Sequence, residues 1–236
     1  LGCGMMGQEH LRNIALIEGA SVIAITEPDQ QMQKHCKQLV PEAVFFNTIE
    51  EMLSAGLALD ALVVATPNYQ HANQLLYLFE QTNLPILIEK PVITQLDQVK
   101  AVQEAANKHP APVWVAMEYR YMPPVSQFKK QLLADDIGDL KMLSIREHRF
   151  PFLEKVQDWN RFNEKTGGTL VEKCCHFFDL MRLLMQSEVT RVFASTGQDV
   201  NHLNETYEGK ASDIIDNAFV ILEFENGKRA NLDLNM

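Results

Sequence analysis

A doubly wound α/β domain followed by an α+β domain is the architecture the sequence predicts, and three observations predict it. Short, nearly continuous apolar runs alternate with amphipathic helical stretches through the first half of the chain. Near Glu118 that alternation gives way to longer strand-like runs around one long helical stretch. A glycine cluster, Gly2-Cys3-Gly4-Met5-Met6-Gly7, opens the first helix-like segment.

The apolar runs at 22–25, 61–65, 85–88 and 113–116 lack polar alternation. Strands buried on both faces of a parallel sheet read this way. Helix-like segments at 6–18, 30–39, 49–55, 70–81 and 95–108 separate them, which is βαβ grammar. A helix is then expected over 125–134 and a strand over 140–150. An irregular segment follows, then a helix over 169–185 and strands at 189–195, 214–224 and 229–234. Asn226-Gly227 between the last two predicts a tight hairpin of the primed type, with positive φ at both central residues. The expected division is 1–118 for the first domain and 119–236 for the second, whose sheet is largely antiparallel and open-faced.

Composition narrows the function classes. Of the 236 residues 46% are hydrophobic and 22% charged, enough apolar material for a real core. A net charge of −10 without a basic cluster argues against a nucleic-acid partner. No apolar run reaches bilayer length and the start carries no signal-peptide pattern, so no membrane partner and a cytoplasmic location are expected. Cys3, Cys36, Cys174 and Cys175 form no CxxC pair, and are expected to be free thiols. The chain starts directly before the glycine cluster and stops inside a strand-like run. Its first strand and its carboxyl-terminal part are therefore expected to lie outside the sequence.

The glycine cluster spells GxGxxG, and its context gives the spelling meaning. A helix follows, then a strand, and Glu27 stands 20 residues beyond Gly7. In a Rossmann domain the first glycine makes a tight turn, the second admits a pyrophosphate and the third lets helix and strand pack. Gly2, Gly4, Met5, Met6 and Gly7 are thus expected to bind a dinucleotide at the helix N-terminus. Glu27 would accept hydrogen bonds from the adenosine ribose and repel a 2′-phosphate, favouring NAD over NADP. Thr66-Pro67-Asn68 with His71, and Glu89-Lys90, follow buried strands. Ligands bind at the carboxyl ends of such strands, so these residues are expected to border the cofactor; for Lys90 a strand-end surface lysine is the competing reading, and spacing alone favours it.

In the second half Gly167-Gly168-Thr169-Leu170 opens the helix carrying Glu172, His176 and Asp179. Their i, i+4, i+7 spacing places all three on one face. A carboxylate one turn from a histidine can orient the imidazole as a general base. A surface ion pair and a metal site are the competing readings. The apolar flanks oppose the first. The lack of a second ligand cluster opposes the second, so no metal is expected.

Together these motifs resemble the glucose–fructose oxidoreductase / inositol dehydrogenase (Gfo/Idh/MocA) family, with Glu89-Lys90-Pro91 the most specific of them. The resemblance implies that Lys90 bonds a substrate hydroxyl and assists proton transfer, and that His176 removes the proton during hydride transfer. Family members usually carry Asp where Glu172 stands. Arg120 matches a family element and is expected either at the substrate pocket or in a domain-junction salt bridge. Trp159 and Asn163 are further candidates for substrate contact, with core packing an equal reading of Trp159. The implied activity is NAD-dependent oxidation of a secondary alcohol of a sugar, polyol or cyclitol. A non-catalytic dinucleotide sensor, or a dehydrogenase of dihydrodiols or tetrapyrroles, is the alternative. Apolar residues on both faces of 219–223 suggest a homodimer or homotetramer formed through the sheet.

Overall fold

A computed structural model describes residues 1–236, which divide into two compact units, Leu1–Ala116 and Met117–Met236. The first unit runs α1 (Met5–Ile14), β1 (Ala24–Thr26), α2 (Gln30–Leu39), β2 (Val44–Phe46), α3 (Ile49–Ser54), β3 (Leu62–Val64), α4 (His71–Gln81), β4 (Ile86–Ile88), α5 (Gln98–Ala106) and β5 (Val113–Val115). Sequence chemistry sets several of these boundaries. Asp29 caps α2 by accepting from the N–H groups of Gln31 and Met32, and Thr48 with Glu51 forms a reciprocal capping box at α3.

All strand pairing in this unit is parallel: β1 with β2, and β3-β4-β5 in that order. The backbone of Leu1 and Gly2 lies between the two sets. Leu1 N–H donates to Val63 O and Ala65 N–H to Leu1 O, while Gly2 N–H donates to Thr26 O. Across the unit the order is therefore β2, β1, the Leu1-Gly2 backbone, β3, β4, β5. The winding reverses at Leu1-Gly2, the switch point where doubly wound sheets hold ligands. Val64, Ile86 and Ile88 pack with Leu75 and Leu78 of α4, Val102 of α5 and Met52 of α3. A smaller cluster of Cys3, Leu11, Ile25 and Cys36 ties the glycine loop to α1 and α2.

The second unit contains α6 (Pro123–Leu133), β6 (Met142–His148), α7 (Asn163–Thr166), α8 (Thr169–Glu172), α9 (Cys175–Met185), β7 (Val189–Gly197), the short pair β8 (Thr206–Tyr207) and β9 (Lys210–Ala211), β10 (Asn217–Phe224) and β11 (Arg229–Asn235). Its main sheet has the order β6-β11-β10-β7. β10 runs antiparallel to both neighbours, and β11 runs parallel to β6. Alternation along β10 and β11 puts Val220, Leu222, Leu232 and Leu234 on one face, packed against Phe177, Met181 and Met185 of α9. Each such side chain contributes roughly 1.5–3 kcal/mol by leaving water. The opposite face leaves Phe219, Ile221, Phe193 and Met142 exposed.

Three local expectations need correction. The helix over 169–185 is two helices, α8 and α9, separated by Lys173 and Cys174. The interruption is so short that apolar periodicity runs through it, which is why spacing reads one helix. Glu172 therefore belongs to α8, and His176 and Asp179 to α9. The hairpin is not of the primed type, because only Gly227 has positive φ. Gly227 N–H donates to Phe224 O and Phe224 N–H to Lys228 O. The Asn226 side chain is used instead, its amide donating to Met185 O. Strand β2 is absent from the expected set because three residues at a partly exposed edge give too short a run to register.

Candidate active site

The glycine loop divides its work among three glycines. Gly2 has φ of +89°, and a Cβ there would stand 2.7 Å from Ala65 O. A Cβ on Gly7 would stand 2.1 Å from Gly2 O, so only glycine lets α1 approach the loop. At Gly4 nothing lies within 4 Å of the same position. That open space fronts the N-terminus of α1, where Gly4 provides no side-chain cap and the first turn holds no acid. The N–H groups of Met5, Met6 and Gly7 head this helix and suit an anionic group.

Glu27 sits at the carboxyl end of β1, buried, and binds the loop itself. Cys3 N–H donates to its Oε2 at 2.7 Å, and Asp29 N–H to its Oε1 at 2.9 Å. A carboxylate has about four acceptor positions, so ribose hydroxyls can still be accepted beside these two bonds. Asp29 serves α2 as its cap.

Two strand-end loops carry the remaining first-unit candidates. Thr66 donates its hydroxyl to Gln74 Oε1, and Pro67 leads into a 3-10 turn, Asn68–Gln70. Asn68 is 7% exposed, and its Nδ2 is buried without a hydrogen-bond partner. An amide donor left open there is costly unless a ligand acceptor meets it. His71 is fully buried, with Nδ1 2.7 Å from Pro91 O and Nε2 2.9 Å from Thr66 O. Burial lowers its pKa, against the pull of the two carbonyls. His71 therefore braces the two loops from beneath and is not itself presented to a ligand. Glu89 is also turned inward, with Oε1 2.8 Å from His10 Nε2 and Oε2 accepting from Lys90 N–H. His10, on α1, is a partner that spacing could not reveal. Lys90 follows half-buried at the carboxyl end of β4.

In the second unit His176 heads α9, and its side chain is 3% exposed. Tyr119 stacks on the imidazole, with ring centres 4.3 Å apart and planes 11° apart. Glu118 Oε1 lies 3.5 Å from His176 Nε2. Both residues come from one 3-10 turn, Glu118–Tyr121. The Lys173 ammonium donates to the Tyr119 hydroxyl at 2.8 Å and lies 3.3 Å from Glu147 Oε1. Glu172 is buried in α8. Spacing points to Glu172 as a carboxylate able to orient the imidazole; the pair Glu118-Tyr119 carries no periodic signal.

The other candidates are held by protein groups. Arg120 binds the Asp179 carboxylate through Nε and a terminal nitrogen, an ion pair inside the second unit and not at a junction of the two. Asn163 donates its backbone N–H and its side-chain amide to Asp213, so it fixes the segment before Gly167. Trp159 is buried. All four cysteines are free, and burial pushes the Cys174 thiol up to about 12, leaving it inert.

A glycine loop at a switch point, an uncapped helix N-terminus and an open buried donor at Asn68 together define a dinucleotide-binding Rossmann unit joined to a mixed-sheet α/β unit. Family profiles agree on both parts: "Oxidoreductase family, NAD-binding Rossmann fold" matches residues 1–117 and "Oxidoreductase family, C-terminal alpha/beta domain" residues 129–236. The chain belongs to the Gfo/Idh/MocA oxidoreductase family. Among its relatives is an inositol 2-dehydrogenase of Corynebacterium glutamicum, 28% identical over all of this chain and 66% of that protein. Another is an NAD(+) scyllo-inositol 2-dehydrogenase of Bacillus subtilis, 24% identical over 99% of this chain and 65% of that protein. The chain spans just under two thirds of the length of these relatives. The fold is shared with the WlbA dehydrogenase of Bordetella pertussis, solved with NADH and UDP-GlcNAcA (TM-score 0.82, 21% identity, covering 100% of this chain and 65% of that one). It is shared too with a myo-inositol 2-dehydrogenase of Lactobacillus plantarum (TM-score 0.82, 18% identity, covering 99% and 68%).

Proposed function

We propose that the protein is an NAD(H)-dependent oxidoreductase acting on a secondary alcohol, or the corresponding ketone, of a polyol, sugar or cyclitol. The observation that carries this reading is the clamped, buried imidazole of His176, in a chain that also places Lys90 at the carboxyl end of β4. Lys90 follows the Glu89–His10 pair, and His176 is clamped by Tyr119 and Glu118. A sensor that only binds a dinucleotide needs neither. When bound, the nicotinamide supplies a hydride acceptor. The chain supplies the rest: the α1 N-terminus holds the diphosphate, Lys90 bonds the reacting hydroxyl, and His176 takes its proton at Nε2. Glu27 disfavours a 2′-phosphate by like charge, so NAD is preferred to NADP.

A second copy of the chain is proposed to cover the exposed apolar face of the sheet, where Phe219, Ile221 and Phe193 lie together. No helix is long and apolar enough to cross a membrane, and the free thiols fit a reducing cytoplasm.

Absorbance at 340 nm tests the catalytic reading. With NAD+ and a panel of inositol stereoisomers and neutral hexoses, at least one compound is expected to give steady NADH formation, faster than with NADP+. A protein that binds NADH yet leaves the absorbance flat across the panel would be the sensor instead.

A further inference from the structure

A base that accepts one proton per turnover must discharge it before the next. His176 is badly placed to do so directly. Its side chain is 3% exposed, and one ring face is covered by Tyr119. Tyr119 is in turn fixed by the Lys173 ammonium at its hydroxyl. Glu118 spans the gap: one carboxylate oxygen lies 3.5 Å from Nε2, while the side chain is 55% exposed.

The other carboxylates near the imidazole are less exposed than Glu118. On β6 Glu147 holds Lys173, which follows α8. Asp179, on α9 itself, holds Arg120 from the same 3-10 turn as Glu118. Glu172 is buried within α8. Of the carboxylates around the imidazole, Glu118 alone combines contact with Nε2 and broad exposure to water.

We propose that Glu118 is the proton exit of His176, a positioning residue that acts through the imidazole. The inference rests on the reading of His176 as the base. As the substrate O–H bond breaks, its proton goes to Nε2; a bound nicotinamide would supply the acceptor for the hydride lost from the carbon that bears this oxygen. The Nε2–H proton then passes to the Glu118 carboxylate and on to water, restoring the neutral imidazole. The same nitrogen serves twice, as acceptor while the alcohol is bound and as donor once the carbonyl has formed.

Glu118→Gln tests the exit, since it keeps the size of a largely exposed side chain and removes only its charge. In alcohol oxidation kcat is expected to fall about tenfold or more, with KM and NADH affinity unchanged. Formate or imidazole in the buffer should restore kcat in proportion to its concentration, while the wild type stays insensitive. A purely structural role would show no such rescue. A second measurement needs no turnover: the NMR titration midpoint of the His176 ring should drop by about 0.5–1 pH unit in the variant. An unchanged midpoint, or wild-type kcat without buffer dependence, would overturn the exit. If the wild type turns over no polyol at all, the functional reading fails and the exit fails with it. If the wild type is active and the variant matches it, only the exit is refuted.

Discussion

Gly4 and Gly7 belong to one motif and are glycine for opposite reasons. A side chain at Gly7 collides with backbone of the loop, whereas one at Gly4 enters open space before the α1 N-terminus. Gly4→Ala should therefore leave the unfolding free energy nearly unchanged, within about 0.5 kcal/mol, yet weaken NADH binding about tenfold or more. Calorimetry and fluorescence titration on the same sample would read both, and unaltered affinity would remove the diphosphate from this place. The motif itself was plain in the sequence, as were the positions of Glu27, Lys90 and His176. Where their neighbours point was not. His71 and Glu89 read as ligand-facing because both follow buried strands. Each is turned inward by a distant partner: His71 by the Pro91 carbonyl, Glu89 by His10 across 79 residues of chain. Arg120 is drawn to Asp179 in the same way. No spacing rule reports contacts of that range.

Among the elements, long apolar runs were legible and short interruptions were not. The four parallel strands found by their apolar runs owe their legibility to burial on both faces. Strand β2, at the partly exposed edge, lacks that signature. The two-residue break between α8 and α9 is invisible to a period of 3.6 residues, although it separates Glu172 from the helix of His176. Strand β10 shows what alternation does and does not say. Val220 and Leu222 face α9, but Phe219 and Ile221 are just as apolar and point away, where they remain exposed. The second copy proposed for that face would account for a strand that is apolar on both sides. Sedimentation velocity should then find a dimer or larger species for the wild type, and a monomer for Phe219→Glu. A monomeric wild type would leave the exposed strip without this explanation.

For the whole molecule, the change from βαβ grammar to longer strands marked two units, and the structure divides them after Ala116. The first is a parallel, doubly wound sheet whose switch point lies at the glycine loop. The second is a mixed sheet backed by α9, carrying the histidine and its clamp. Dinucleotide binding is the business of the first unit, and a binding protein would require no more. Under the proposed function, proton handling by Lys90 and His176 is what would make the molecule an oxidoreductase. The most direct measurement is the rate of NADH formation by Lys90→Ala, taken beside its NADH dissociation constant. The account predicts a rate lower by about a hundredfold or more, with the dissociation constant nearly unchanged. Retained turnover would contradict it, and so would a loss of NADH binding that by itself accounts for the loss of rate.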